Sequence, residues 1–227
     1  MSKRISHSLL DPYVGPPLSA LYPHLRIPRW FPPEGIVAIG HLSAVCGAMG
    51  LALSSRFWWG GLVAAAGIAG NHLADCVDGK HARTTGQCRN GGELLDHFTD
   101  PLSFTYWLVG LAVACGRLDL GLVAVIVLMA MAVLTNLRAK LTGRFTLAAF
   151  GPTEFKALLV VFGLGLSVLA IGFPGSAMTT TGCLIGLAAL TAVGLVLLPI
   201  QLVQSVREVN RCGAPPDTSD WETRRAA

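Results

Sequence analysis

ALLVVFGLGLSVLAIGFPGSAMTTTGCLIGLAALTAVGLVLLPIQLVQSV, residues 157–206, carries no charged side chain. A bilayer crossing takes ~20 predominantly apolar residues, so the run is long enough for two. Phe173-Pro174-Gly175-Ser176 interrupts it with a turn signal, and a helix is predicted on each side. Ile36–Ser55, Phe57–Ala74, Pro101–Gly116 and Leu120–Leu137 are likewise free of Asp, Glu, Lys and Arg. The chain as a whole is 52% hydrophobic and 13% charged, against ~25% charged in an ordinary soluble domain.

The expected fold is all-α and integral to a membrane, with six spans at about 36–53, 57–78, 93–116, 120–138, 153–172 and 179–206. Residues 1–35 mix prolines with Leu9, Tyr13, Tyr22, Trp30 and Phe31, which suits an interfacial amphipathic segment at the headgroups. Residues 36–206 form one membrane domain, and residues 207–227 are expected to be a solvated cytosolic tail. No cleavable signal peptide is expected, because the apolar run begins too late.

With both termini on the cytosolic side, fifteen of the 17 Lys and Arg fall there, and Arg56 and Arg117 fall opposite. That asymmetry obeys the positive-inside rule. The formal charge of +4 is therefore a topology signal. No basic stripe with interleaved aromatics points to a nucleic acid. The cysteines (46, 76, 88, 115, 183 and 212) show neither a C-x-x-C pair nor zinc spacing and are expected to be reduced bystanders. Gly182-x-x-x-Gly186 permits close helix approach in lipid, either within the chain or in a homodimer.

The chemistry lies where the acidic residues meet the spans. Asp75, Asp78, Glu93, Asp96, Asp100 and Glu154 sit at or near the cytosolic ends, and intramembrane carboxylates normally signal a site. Asp75 and Asp78 are three apart, Asp96 and Asp100 four apart, so each pair shares a helical face. If the second and third spans are antiparallel neighbours, four carboxylates converge. They cannot all stay ionised in a low dielectric without a cation, and hard oxygen donors suit Mg²⁺, Mn²⁺ or Ca²⁺ rather than zinc. Gly79, Ala82 and Gly92 are small enough to admit a bulky ligand, and Arg83 offers a forked contact to phosphate. Asn71 lies on the face of Asp75 and Asp78; His72 lies on another and reads as structural.

The run Asp75-x2-Asp78-Gly79-x2-Ala82-Arg83-x8-Gly92-x3-Asp96-x3-Asp100 resembles, at every fixed position, the signature of the CDP-alcohol phosphotransferase family. The resemblance implies that Asp75, Asp78, Asp96 and Asp100 hold one or two Mg²⁺ or Mn²⁺ ions, with Asp100 also the usual general base. It implies that Gly79, Ala82, Arg83 and Gly92 line the CDP pocket, with Asn71 in support. CMP would leave as an acceptor hydroxyl attacks the phosphorus distal to cytidine.

Gly92-Glu93-Leu94-Leu95-Asp96-His97 and Gly151-Pro152-Thr153-Glu154 resemble the choline/ethanolamine phosphotransferase branch. In that branch the matching histidine and glutamate, here His97 and Glu154, look like proton-transfer residues. Glu154 also reads as a helix N-terminal charge with Thr153 as cap. The implied reaction in phospholipid synthesis takes CDP-choline or CDP-ethanolamine to diacylglycerol. The alternative takes CDP-diacylglycerol to a soluble alcohol such as glycerol phosphate, inositol phosphate or serine, for which Arg138, Lys140 and Arg144 would suit an anionic acceptor. The chain departs from the branch at Pro33-Glu34 and Val37, where the relatives have Pro-Asn and a threonine. It is also shorter than the ten-span eukaryotic enzymes, as expected of a minimal version in a bacterial cytoplasmic membrane. A cation transporter would explain the aspartates but not Gly79, Ala82, Arg83 and Gly92, and no repeated broken helices are visible.

Overall fold

The computed structural model describes residues 3–147, 150–215 and 218. Arg224, Arg225 and most of the tail expected from 207 lie outside them, as does the Glu93 side chain. In chain order the elements are β1 (Lys3–Ser6), α1 (Asp11–Ala20), a 3-10 turn (Tyr22–Leu25), α2 (Pro33–Leu53), α3 (Gly60–Thr85), α4 (Asn90–Cys115), α5 (Leu118–Thr142), β2 (Arg144–Leu147), α6 (Pro152–Gly172) and α7 (Met178–Cys212). The last helix runs past Val206, where the apolar pattern stops, because Arg207 to Cys212 contains no breaker before the Gly213 cap.

Five helices, α2, α4, α5, α6 and α7, are long and apolar enough to cross a membrane. Helix α3 covers most of the second expected span and runs seven residues past its end, but its C-terminal half carries Asp75, Asp78, Lys80 and Arg83, and it is not among the five. Large apolar side chains such as Ile39, Val109, Ile126, Val161, Val168 and Val196 face outward, as a lipid-facing surface requires.

Small residues set the packing, since lipid tails remove the hydrophobic drive between helices and close contact must supply it. Gly61 of α3 lies against the Gly163 carbonyl and Ser167 of α6, leaving no room for a Cβ. Buried Trp107 of α4 donates its indole N–H to the Ala44 carbonyl of α2 at 3.0 Å, and Asn71 of α3 donates to the Gly40 carbonyl of α2 at 3.1 Å. Helices α3 and α4 thus both pack along α2. Gly86, at φ 73°, closes α3 with the left-handed turn that glycine adopts without steric cost.

The Gly182–Gly186 pair turns inward. A Cβ at Gly186 would strike the Phe162 ring of α6, and one at Gly182 would touch Leu166. The pair joins α7 to α6 within one chain, so it gives no support to a homodimer.

The N-terminal segment is folded. Strand β1 pairs in parallel with β2, Lys3 opposite Arg144 and Ser6 opposite Leu147, an addition to the all-α expectation. Helix α1 then packs against α3, and Tyr13 and Trp30 of this segment are strongly exposed.

Candidate functional site

Asp75 and Asp78 lie in the C-terminal half of α3, and Asp96 and Asp100 in the N-terminal half of α4. The two helices make little direct contact with each other among the described residues, and a small cavity opens between them. Its lining includes all four aspartates with Asn71 and Thr99. One carboxylate oxygen each from Asp75, Asp96 and Asp100 lies within 4.8 Å of the others. That donor set suits a hard divalent ion. The Asn71 Oδ1, buried without a hydrogen-bond partner beside them, adds a neutral oxygen of the same chemical kind. Asp78 stands slightly apart: its Oδ1 accepts the Gly79 N–H, and it is outside the three-way group while lining the same cavity.

The expected phosphate residues flank this cluster. Ala82 is half-buried and Arg83 exposed. Arg83 folds back over Gly79, where a Cβ would sit 3.1 Å from its Nη1. Gly92 faces open space, so its backbone is accessible. Glu34, at the position where the sequence departs from its relatives, faces Arg89 at 3.5 Å and ties the start of α2 to the start of α4.

A second, larger cavity of about 470 Å³ begins at Asp100 and His97 and runs between α4, α5 and α7. Leu108, Val127, Leu128, Leu190 and Leu197 belong to its apolar lining, and Arg138, Gln201 and Gln204 to its polar lining. His97 packs against the Phe145 ring at 4.5 Å between centroids. Its side chain thus shares the cavity with Asp100 three residues on, as i,i+3 spacing on one helix face dictates.

Glu154 goes elsewhere. Its Oε1 accepts from Ser8 Oγ at 2.6 Å and from the Leu10 N–H at 2.9 Å, and its Oε2 accepts from the Gly151 N–H at 2.8 Å. The last bond satisfies the N-cap N–H at the start of α6, and Thr153 donates alongside to Asp11. The glutamate therefore fastens the N-terminal segment and is not brought to the cavity that holds His97 and Asp100. Of the basic residues offered for an anionic acceptor, Arg138 donates to the Thr146 carbonyl at 2.8 Å and faces Glu208 at 3.9 Å.

Two residues that the sequence reading set aside belong to the cluster. Lys156, counted there only as a cytosolic positive charge, is 1% exposed and donates to Asp75 Oδ2 at 2.8 Å and to Asp100 Oδ1 at 3.0 Å. The signal was present: an intramembrane lysine is as costly as an aspartate, and it follows Glu154 by two residues. His72 Nδ1 lies 3.8 Å from Asp75 Oδ2, so the histidine read as structural leans on the first aspartate.

The family model described as CDP-alcohol phosphatidyltransferase matches residues 35–206. Among curated proteins, cholinephosphotransferase 1 of Homo sapiens is 34% identical over 115 residues, 47% of this chain and 27% of its own length. The Gallus gallus protein of the same name is 31% identical over 113 residues, 47% of this chain and 33% of its own. The match thus spans only about a quarter to a third of these relatives. A crystal structure of phosphatidylinositol phosphate synthase from Mycobacterium tuberculosis, solved with CDP-DAG bound, superposes with TM-score 0.55 at 17% identity, covering 86% of this chain and 93% of that one. At that identity the likeness shows the fold.

Proposed function

Because the chain belongs to the CDP-alcohol phosphatidyltransferase family, we propose that it transfers a phospho-alcohol group from a CDP-linked donor to the hydroxyl of a lipid acceptor, releasing CMP. The observation that carries the lipid acceptor is the cavity of about 470 Å³ that joins Asp100 and His97 to an apolar interior between α4, α5 and α7. Its size falls in the range of small-molecule sites, roughly 300–1,000 Å³. A diacylglycerol would lay its chains along Leu108, Val127 and Leu190 and present its hydroxyl to Asp100 and His97. Arg138, already engaged by Glu208 and Thr146, is ill placed to greet an anionic acceptor.

Asp75, Asp96 and Asp100, with Asp78 beside them, would hold Mg²⁺ or Mn²⁺ between the donor and acceptor sides. Such an ion, when bound, neutralises the diphosphate and the departing CMP. Arg83 pairs with a donor phosphate oxygen, while Gly79, Ala82 and Gly92 leave the backbone open to it. The acceptor hydroxyl forms the new P–O bond as the bond to CMP breaks, and its proton passes to His97 or Asp100. Glu154 contributes by anchoring the segment around Ser8, which brings His7 to the cavity wall.

The relatives named cholinephosphotransferase support CDP-choline as donor, with CDP-ethanolamine the close chemical analogue to be tested beside it. A second reading, CDP-diacylglycerol with a soluble alcohol, is supported by the fold neighbour solved with CDP-DAG, since the same cavity would then take the donor's acyl chains. The charge asymmetry supports cytosolic termini and a cytosol-facing site. Helix α3, with 26 residues, is ~39 Å long at 1.5 Å per residue and supplies the sixth crossing.

The test is direct. Purified protein is given radiolabelled CDP-choline, CDP-ethanolamine or CDP-diacylglycerol with diacylglycerol or a soluble alcohol, and CMP release is scored for each pair. CMP only with CDP-diacylglycerol and a soluble alcohol replaces the first reading with the second. CMP from no pair removes both.

A further inference from the structure

Lys156 sits five residues into α6 with its ammonium sealed among carboxylates and 5.7 Å from the Phe104 ring centroid. At 1% exposure it has no solvent into which to withdraw. Asp75 Oδ2 and Asp100 Oδ1 are both bonded to it, and both carboxylates belong to the group of three oxygens that a divalent ion would bind. With one oxygen of each carboxylate bonded to the ammonium, only the other is left to a divalent ion, which needs several hard oxygens at ~2.0–2.6 Å. Two positive centres in that gap would also repel strongly in so poorly screened a place.

We infer that Lys156 is a protein-borne cation that fills the Asp75–Asp100 side of the cluster, so that each chain takes up one divalent ion rather than two. Asp75, Asp78, Asp96 and Asp100 bring four negative charges when ionised; the lysine and one divalent ion bring three positive ones. The remaining ion is held toward Asp96 by the carboxylate oxygens that Lys156 leaves free, with Asp78 beside them. The lysine also explains how four carboxylates can be gathered on membrane helices before any metal arrives. This inference rests on the proposed reading of the cluster as a metal site.

The experiment uses the full chain in detergent, stripped with EDTA and titrated with Mn²⁺, with free Mn²⁺ read by electron paramagnetic resonance. Wild type is expected to bind one Mn²⁺ per chain. Lys156→Gln is expected to bind two, the first with a Kd lower on the order of tenfold or more, and Lys156→Arg, which keeps the charge, to bind one. In EDTA the Lys156→Gln protein should unfold at a lower temperature than wild type, and Mn²⁺ should raise its midpoint by more. If the neutral variant folds only with Mn²⁺ present, that dependence is the expected result; if it stays unfolded with Mn²⁺, the inference is overturned. Two ions in wild type, or one in Lys156→Gln with unchanged affinity, also overturn it while leaving the metal site standing. No Mn²⁺ on either protein overturns the metal reading and this inference with it.

Discussion

Ser8 Oγ donates to Glu154 Oε1 across 2.6 Å, fastening the N-terminal segment to the first turn of α6. With the Leu10 and Gly151 N–H groups on the same carboxylate, the glutamate anchors a segment that would otherwise be free to leave the bundle end. Glu154→Gln should therefore loosen residues 7–11. Bonds to a charged acceptor contribute roughly 1.5–3 kcal/mol, so amide exchange there should speed up by about ten- to a hundredfold. Mass-spectrometric hydrogen exchange checks this. Unchanged protection of the segment, with turnover lost, would return Glu154 to the chemistry.

Much of this was legible beforehand, for identifiable reasons. Charge-free runs predict membrane helices because lipid excludes unpaired charge, and α2, α4, α5, α6 and α7 follow them. The spacings 75/78 and 96/100 predict shared faces because the helix period is fixed, and all four residues line one cavity. Pairings between distant segments leave no such periodicity. Neither the Ser8–Glu154 bond nor the β1–β2 pairing has a local signature. Lys156 was hidden differently: at a cytosolic helix end it looks like one more positive-inside residue, and only the approach of α6 to α3 turns it into a carboxylate partner.

Asp78→Asn should abolish turnover, and chelation should do the same to wild type. Asp78 is buried, lines the cluster cavity and lies on the side nearest the donor residues Gly79 and Arg83. Neutralising it removes a hard oxygen donor that an amide replaces poorly. CMP release measured in excess EDTA, with residual metal assayed, decides the matter: full turnover without metal contradicts the proposal.

Arg83→Lys should leave Mn²⁺ binding intact and weaken binding of a CDP-alcohol. The guanidinium is exposed and folds over Gly79, free to present two N–H groups to a phosphate, whereas an ammonium is a point charge. Loss of a charge-assisted contact of ~1.5–3 kcal/mol is about ten- to a hundredfold in Kd. Calorimetry with CDP-choline measures it, and an unchanged Kd removes Arg83 from the donor site.

Gly61→Ala should destabilise the bundle without touching the chemistry. An added Cβ meets the Gly163 carbonyl and Ser167 of α6, both backbone-anchored, so α3 and α6 must separate. Overpacking of this kind costs roughly 1–3 kcal/mol. A lowered unfolding midpoint in detergent, with Mn²⁺ stoichiometry kept, is the expected outcome; Gly172→Ala, where a Cβ meets nothing, is the matched control.

His97→Ala should lower turnover with diacylglycerol by about a hundredfold or more, the usual worth of a positioned general base. Both His97 and Asp100 line the acceptor cavity, so either is placed to take the hydroxyl proton. Asp100 Oδ1 is bonded to the Lys156 ammonium at 3.0 Å, which withdraws one of its oxygens from the acceptor. His97 faces the cavity beside Phe145, and an imidazole is the side chain suited to carry a proton near neutral pH. Single-turnover rates with saturating donor separate chemistry from binding. If His97→Ala keeps the wild-type rate and its pH profile, the base is Asp100; if the rate falls and the acid limb of the profile disappears, it is His97. Loss of diacylglycerol binding in the same variant, with the rate at saturation preserved, would instead make His97 a wall of the cavity.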